Sequence, residues 1–184
     1  MGERTGVAVN LLDRLRDRPA ATVVVEPMRH RHVTAALAIE RAAYPKPWSE
    51  RVFHSELDQA RDGARSYLVA RRGRAVVGYG GLMYVLDEAH VTNVAVHQEH
   101  RRAGIATQLL GALAAAAIER GSVAWTLEVR ASSTGAQALY RTFGFVPAGV
   151  RSKYYEENED AIVMWCHDIG SPEYGERLKR LRRD

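Results

Sequence analysis

The loop over residues 101–107 combines a glycine, small residues and two arginines at the start of a predicted helix. Several backbone N–H groups at such a start have no acceptor within the helix, and the helix dipole favours negative charge there. Gly104 and Ala106 let an anion approach the backbone closely. Arg101 or Arg102 can add a charge-assisted hydrogen bond. The loop therefore predicts a binding site for a pyrophosphate group.

Glu128 stands in the middle of a strand predicted over residues 125–130. Side chains alternate between the two faces of a strand, so Glu128 lies opposite the apolar Trp125 and Leu127. A carboxylate in this position either lines a cleft or faces solvent, where it pairs with Arg130 or another cation. The residues alone leave both interpretations open.

Tyr140 is predicted to lie on the apolar face of a helix that begins at Thr134, between Leu139 and Phe143. Core packing is the ordinary role of a tyrosine on such a face. Its phenol group would still need a hydrogen-bond partner. The helix pattern thus predicts a core residue with one polar atom to satisfy.

The remaining elements follow from hydrophobic periodicity, capping residues and turn residues. Two prolines make residues 44–48 a loop, and Ser49 is a typical N-cap for the helix after it. Strands are predicted over residues 21–26, 67–70, 75–85, 90–96, 125–130, 145–154 and 161–167, and helices over 33–43, 49–60, 105–120 and 134–143. This order predicts an α/β fold with a mixed, largely antiparallel central sheet flanked by helices.

The composition is that of an ordinary globular protein. The chain has 184 residues, of which 46% are hydrophobic and 26% charged, which excludes collagen-like, coiled-coil and wholly disordered proteins. Its longest apolar run, residues 105–118, is interrupted by polar residues and is shorter than the roughly 18–20 residues that span a bilayer. Cys166 is the single cysteine and no opening signal segment is visible, so we expect a cytoplasmic protein without membrane contact.

The net charge of +4 is concentrated at the two ends of the chain. Residues 1–20 carry +1 and residues 171–184 carry +2, which leaves +1 for the body. We predict an N-terminal extension over 1–20, one domain over 21–170 and a basic C-terminal tail over 171–184. No aromatic platform accompanies the basic tail, so we expect a solvated terminus or a frayed helix and no direct nucleic-acid binding.

Four segments resemble, in order and spacing, the motifs of the GCN5-related N-acetyltransferases (GNAT). These segments are residues 93–96 (NVAV), 101–106 (RRAGIA), 127–132 (LEVRAS) and 138–145 (ALYRTFGF). Four further segments resemble the ribosomal-protein alanine N-acetyltransferases, the RimI type: 47–50 (PWSE), 86–89 (LDEA), 127–130 (LEVR) and 154–155 (YY). The resemblance covers about residues 22–168.

This resemblance implies the GNAT acyl-CoA N-acyltransferase fold, with acetyl-CoA as acyl donor. The pyrophosphate of acetyl-CoA would lie on the backbone of residues 102–107. The pantetheine arm would pair with the strand edge 94–96, where a backbone N–H group would polarise the thioester carbonyl. Ser133 replaces an asparagine that commonly contacts the cofactor. The implied cofactor-binding residues are Val94, Ala95, Val96, Arg101, Arg102, Ala103, Gly104, Ile105, Ala106, Thr107 and Ser133. Glu128 would be the general base, directly or through a water, and Tyr140 the general acid for the CoA thiolate.

On the acceptor side the resemblance implies that the loop 44–48 and the turn 154–160 flank the amine entrance. Trp48, Tyr154 and Tyr155 would contact the substrate there. The acidic turn 156–160 would favour a cationic acceptor, or is a solvated hairpin turn. The implied reaction is acetylation of a protein N-terminus, first of all the N-terminal alanine of a ribosomal protein. A small amine, such as an antibiotic or polyamine, is the alternative acceptor, and a non-catalytic acyl-CoA-binding module is the second alternative. The paired histidines at 30/32 and 97/100 lack companion ligands, so we expect no metal.

Overall fold

A computed structural model describes residues 22–182, which form one seven-stranded sheet with helices on both faces. The strands are β1 Val23–Pro27, β2 Arg65–Arg72, β3 Ala75–Val85, β4 Glu88–Val96, β5 Ala124–Arg130, β6 Val146–Arg151 and β7 Ala161–His167. The helices are α1 Val33–Ala43, α2 Glu50–Arg61, α3 Ile105–Glu119, α4 Thr134–Thr142 and α5 Pro172–Leu181. The strand order is β1-β2-β3-β4-β5-β7-β6, and only β4 and β5 pair in parallel. The prediction of a mixed, largely antiparallel sheet is confirmed.

Local signals place most element ends where the sequence predicts them. The Ser49 hydroxyl group accepts a hydrogen bond from the Val52 N–H group at 3.3 Å and begins α2. Gly73 turns the chain between β2 and β3 with φ +62°, and Gly121 follows α3 with φ +85°. These glycines supply the left-handed backbone that each turn needs.

Alternate residues of the central strands bury opposite faces of the sheet. Val69 of β2 packs in the cluster with α1 and α2, whereas Ala70 packs against Ile105 and Leu109 of α3. Further along the sheet, the buried Trp125 packs against Phe143 and Phe145 at ring-centroid distances of 6.1 and 4.6 Å. The sheet is therefore held between two helical layers, and its strand ends are fixed in place.

The C-terminal segment corrects the sequence prediction. Residues 172–181 of the predicted solvated tail form α5, on which Tyr174 and Leu178 are buried against the core cluster of Trp125. Tyr174 and Leu178 are four residues apart and form an apolar stripe, which the high charge of the segment hides. Residues 1–20, and with them the predicted extension, lie outside the described residues.

The strand predicted over 145–154 is shorter in the structure, where β6 ends at Arg151. Lys153 takes a left-handed backbone with φ +53°, and its N–H group donates to Asp160. This turn at Lys153, two residues after Arg151, prevents the strand from continuing to residue 154. Within residues 22–182 every helix is too short or too polar to cross a bilayer.

Candidate active site

Strands β4 and β5 pair only at their first residues and then separate. Their register covers Glu88 with Ala124 through His90 with Thr126. Directly after this stretch, Thr92 is an extra residue in the ladder between β3 and β4, because Val91 pairs with Leu82 but Asn93 with Gly81. A bulge of this kind bends the strand. The bend opens a cleft between the second halves of β4 and β5.

The open edge of β4 presents backbone groups to this cleft. The His97 N–H group donates to the Val77 carbonyl oxygen at 2.9 Å. Because residues of an antiparallel strand alternate, Ala95 also faces β3, and Val94 and Val96 face the cleft. The Val94 carbonyl oxygen accepts from the Tyr44 hydroxyl group at 3.1 Å. The N–H groups of Val94 and Val96 are left to bind a ligand.

The cleft has a volume of about 740 Å³ and contains most of the predicted site residues. Those that line it are Trp48, Val94, Ala95, Val96, Arg101, Ala106, Glu128, Ser133, Tyr140 and Tyr155. Those that do not are Arg102, Ala103, Gly104, Ile105, Thr107 and Tyr154. The structure therefore brings the open strand edge, the carboxylate and the phenol together in one space.

The loop before α3 lies where β4 ends and gives the helix an open start. Arg102 and Gly104 both have left-handed backbones, with φ +62° and +71°. Gly104 is the N-cap and has no side chain to accept the N–H groups of the first turn. Nothing lies within 4 Å of a Cβ placed on Gly104. The side chain of Ile105 is buried in the core, so this residue can offer only its N–H group.

Glu128 lines the cleft and also pairs with a cation, so both interpretations of its sequence position hold in part. Its side chain is 25% exposed, and its Oε1 atom lies 3.2 Å from an Arg151 guanidinium nitrogen. Arg130, the partner expected from sequence, instead binds Glu156 and Glu159 at 3.0 and 2.7 Å. Arg151 comes from β6, two strands away from β5.

Tyr140 lies on the α4 wall of the cleft and is half-buried. Its ring meets Phe145 edge-on at 5.8 Å. Burial raises the pKa of its phenol to about 12, so the group keeps its proton at neutral pH. Among residues 22–182 its hydroxyl group has no hydrogen-bond partner and is free to donate into the cleft.

The acidic turn is less available to a cationic acceptor than its sequence suggests. Hydrogen bonds from Ser132 and the ion pair with Arg130 lower the pKa of Glu159 to about 2. Glu156 bonds the same arginine, whose guanidinium lies 4.2 Å from the centre of the Tyr155 ring. Arg130 thus binds two carboxylates of the turn, balances the charge of one of them, and holds Tyr155 against the cleft wall.

The family comparison matches this geometry. The model of the acetyltransferase (GNAT) family matches residues 33–145, which is more than half of the chain. The chain belongs to the GNAT acetyltransferase family. It is therefore an enzyme that uses acetyl-CoA as acyl donor, as the resemblance implies.

Individual relatives of this GNAT chain indicate the type of acetyltransferase that it resembles. An Escherichia coli (strain K12) protein named "[Ribosomal protein bS18]-alanine N-acetyltransferase" is 37% identical over 135 residues, which cover 71% of this chain and 87% of the relative. A Mycobacterium tuberculosis protein named "N-alpha-acetyltransferase RimI" is 35% identical over 131 residues, covering 68% and 78%. The crystal structure of the ribosomal-protein-S18-alanine N-acetyltransferase from Escherichia coli superposes with a TM-score of 0.73 at 31% identity, covering 80% and 94%. These matches confirm the resemblance to the RimI type.

Acetyl-CoA fits the groups that this GNAT cleft offers. The N–H groups of Val94 and Val96 can pair with an extended arm, and the open start of α3 suits a pyrophosphate. A Cβ on Gly104 would meet open space, which leaves room for the anion above the backbone. No three His, Cys, Asp or Glu side chains gather into a metal site in the described part of the chain.

Sequence reasoning assigns no role to two cleft residues, Glu40 and Tyr44, or to Arg151, which contacts Glu128 of the cleft. Glu40 falls on the apolar face of α1, next to Ala36 and Leu37, which is the one signal that could reveal a buried carboxylate. Tyr44 precedes a proline and looks like an ordinary loop residue. Arg151 reaches Glu128 only through the pairing of three strands, which no local pattern encodes.

Proposed function

We propose that this GNAT enzyme acetylates the α-amine of a protein N-terminus, and that its acceptor is the N-terminal alanine of ribosomal protein bS18. The acceptor is inferred from the printed names of relatives that are 35–37% identical over most of their length. The observation that carries the chemistry is that the open edge of β4 and the side chains of Glu128 and Tyr140 share one cleft. A cytoplasmic location is part of the proposal, because ribosomal proteins are made there.

The backbone of β4 and of the following loop holds the acyl donor in this proposal. Acetyl-CoA supplies a thioester whose carbonyl carbon is open to attack by an amine. The N–H groups of Arg102 to Thr107 bind its pyrophosphate, and Arg101 adds charge beside them. An N–H group of Val94 or Val96 donates to the thioester oxygen, where negative charge develops during attack. Ser133, directly before α4, also lines the cleft and offers a hydroxyl group.

Glu128 is the general base. An α-ammonium group has a pKa of about 8 and must lose its proton before the nitrogen can attack. The Glu128 carboxylate accepts that proton, directly or through one water. Arg151 keeps this carboxylate at the cleft wall through the 3.2 Å ion pair.

Tyr140 is the general acid. As the nitrogen–carbon bond forms and the carbon–sulfur bond breaks, the Tyr140 hydroxyl group donates its proton to the departing thiolate sulfur. A free hydroxyl group in the cleft and a pKa of about 12 suit this role, because the group is fully protonated before the reaction. The α-ammonium group loses two protons on its way to the amide. Glu128 takes the first before attack, and the second is lost from the nitrogen as the carbon–sulfur bond breaks and replaces the proton that Tyr140 has given to sulfur, so one proton in total is released.

Trp48 and Tyr155 form the acceptor side of the cleft. Tyr155 is fixed there, because its hydroxyl group donates to the Glu128 carbonyl oxygen at 3.1 Å. Tyr154 lies outside the cleft and packs edge-on against the Tyr155 ring at 5.1 Å. We therefore assign Tyr154 an indirect role, through the position of Tyr155.

A peptide panel tests this function. The protein is incubated with acetyl-CoA and peptides that begin with the N-terminal sequence of bS18, and with matched peptides whose first residue is changed. The proposal predicts a mass gain of about 42 Da on the α-amine of the alanine peptide, which is the mass of an acetyl group less a hydrogen. A gain only on polyamines or aminoglycosides supports the small-amine alternative. Binding of acetyl-CoA without transfer to any amine supports the non-catalytic module.

A further inference from the structure

Three glutamates line the cleft in the described part of the chain, and they differ in their partners. Glu128 pairs with Arg151 at 3.2 Å, and Glu156 pairs with Arg130 at 3.0 Å. Glu40 has no Lys, Arg or His nitrogen within 4.0 Å among residues 22–182. Among these three, Glu40 is therefore the carboxylate with no cationic side chain beside it.

The Glu40 carboxylate is buried and held from two sides. Only 2% of the residue is exposed. The Trp48 N–H group donates to its Oε1 atom at 2.9 Å, and the Tyr79 hydroxyl group donates to its Oε2 atom. The Asn93 side-chain amide donates to the same Tyr79 oxygen at 3.2 Å, which leaves the Tyr79 proton for Glu40. Both carboxylate oxygens thus act as acceptors.

These bonds place Glu40 beside the stretch of β4 where the strand edge opens. Tyr79 is the cross-strand partner of Ala95, between the two residues whose N–H groups face the cleft. One turn of chain beyond Glu40, Tyr44 donates to the Val94 carbonyl oxygen. The C-terminal end of α1 therefore lies against the proposed position of the thioester.

We propose that Glu40 is the charge partner of the acceptor's α-ammonium group and selects acceptors that enter the cleft as cations. The proposal rests on the function proposed above. A fixed carboxylate in a poorly solvated wall attracts a cation with little screening. This attraction strengthens acceptor binding, whereas proton removal stays with Glu128. Glu40 is a recognition residue, and its loss raises the acceptor dissociation constant more than it lowers kcat.

Other titratable or charged groups face Glu40 from every element packed around it. They are Tyr44 and Lys46 on its own side, Tyr79 from β3, Glu128 and Arg130 from β5, Tyr140 from α4, and Tyr155 and Glu156 from the turn before β7. Burial raises the pKa of Tyr44 and Tyr79, and it raises the pKa of Tyr140 and Tyr155 to about 12. These phenols therefore keep their protons between pH 6.5 and 9.5, a range over which the acceptor amine, with a pKa of about 8, loses its charge.

The test compares acceptor binding to wild type and Glu40→Gln, each saturated with CoA, by calorimetry at pH 6.5 and 9.5. The amide keeps an oxygen for the Trp48 N–H group but removes the charge. We expect the dissociation constant of the alanine peptide to rise about 10-fold at pH 6.5 and less than about 3-fold at pH 9.5, where the amine is neutral. Glu40→Asp restores tight binding at pH 6.5. The distant, exposed Glu176→Gln, which makes the same charge change, has no effect.

The proposal is overturned if wild type acetylates the peptide but Glu40→Gln raises the dissociation constant by the same factor at both pH values. It is also overturned if the substitution leaves the dissociation constant unchanged. If wild type acetylates no peptide, the proposed function is wrong, and so is the role proposed for Glu40. If Glu40→Gln does not fold, the test uses wild-type protein and an analogue of the alanine peptide. At pH 6.5 the alanine peptide must bind at least about 10-fold more tightly than the same peptide with an α-hydroxyl group in place of the amine, and equal affinities overturn the proposal.

Discussion

Tyr44 and Val94 connect the loop of residues 44–48 to the open edge of β4, because the Tyr44 hydroxyl group donates to the Val94 carbonyl oxygen at 3.1 Å. Val94 also offers its N–H group to the proposed thioester site. The bond therefore ties one wall of the cleft to the backbone that binds the acyl donor.

Removal of this bond should affect both stability and turnover. Tyr44→Phe leaves a carbonyl oxygen unpaired in the cleft wall, which we expect to destabilise the protein by about 1–2 kcal/mol. We also expect kcat/KM to fall about 3- to 10-fold, because the β4 edge loses its support. Tyr84→Phe is the matched control, since Tyr84 donates to Ser66 at 2.8 Å away from the cleft. A Tyr44→Phe enzyme with wild-type kcat/KM would contradict the role of this bond.

Tyr140→Phe should separate chemistry from binding. Loss of the proton donor is expected to lower kcat by about 10²-fold. The dissociation constant of acetyl-CoA, measured by calorimetry, should change less than about 3-fold, because the backbone supplies that binding. Because the pKa of Tyr140 is raised to about 12, wild-type kcat should show no loss from this group below pH 10. Tyr174→Phe, buried outside the cleft, serves as the control; equal kcat values for the two variants would remove Tyr140 from the mechanism.

Glu128→Gln should lower activity most at low pH. At pH 7 most α-amines are protonated and need a base, so we expect kcat/KM to fall about 10²-fold. At pH 9 the amine is largely neutral, and the deficit should shrink. The measurement is the pH profile of kcat/KM from pH 6 to 9.5, with Glu88→Gln at the far end of β4 as control. A deficit that does not vary with pH would argue that Glu128 acts by some means other than proton removal.

The Glu159–Arg130 pair predicts a pH dependence of stability. Hydrogen bonds from Ser132 and the pair with Arg130 lower the pKa of Glu159 from 4.5 to about 2. A group whose pKa is lower in the folded state stabilises the protein above its unfolded pKa, and this contribution is lost as pH falls. Tm should therefore decrease between pH 5 and 2, and Glu159→Gln should flatten this decrease. Circular dichroism melts at several pH values measure it; parallel curves for the two proteins would contradict the assignment.

Local patterns in the sequence predict most of the fold. Ser49 caps α2 and Gly73 turns the β2–β3 hairpin because their effects depend on a few neighbouring residues. The separation of β4 from β5 cannot be seen in this way, because the bulge at Thr92 exists only relative to its partner strand. The same limit hides the contact between Arg151 and Glu128.

The charge composition of a segment is a poor guide to its burial when only a narrow apolar stripe packs against the core. Helix α5 has a high proportion of charged residues, yet Tyr174 and Leu178 bury its inner face. The acidic turn after Tyr155 also looks free in sequence, whereas Arg130 binds two of its carboxylates. In both segments the partner that decides the outcome is distant in sequence.

Binding of coenzyme A along β4 and the loop at Gly104 is the step on which the proposed function depends most directly. Calorimetric titration of coenzyme A into the protein should show one site with a dissociation constant on the order of 1–100 μM. Gly104→Val should weaken this binding at least about 10-fold, because a β-branched residue resists the left-handed backbone. Absence of heat with the wild-type protein, or equal affinity of the two proteins, would contradict it.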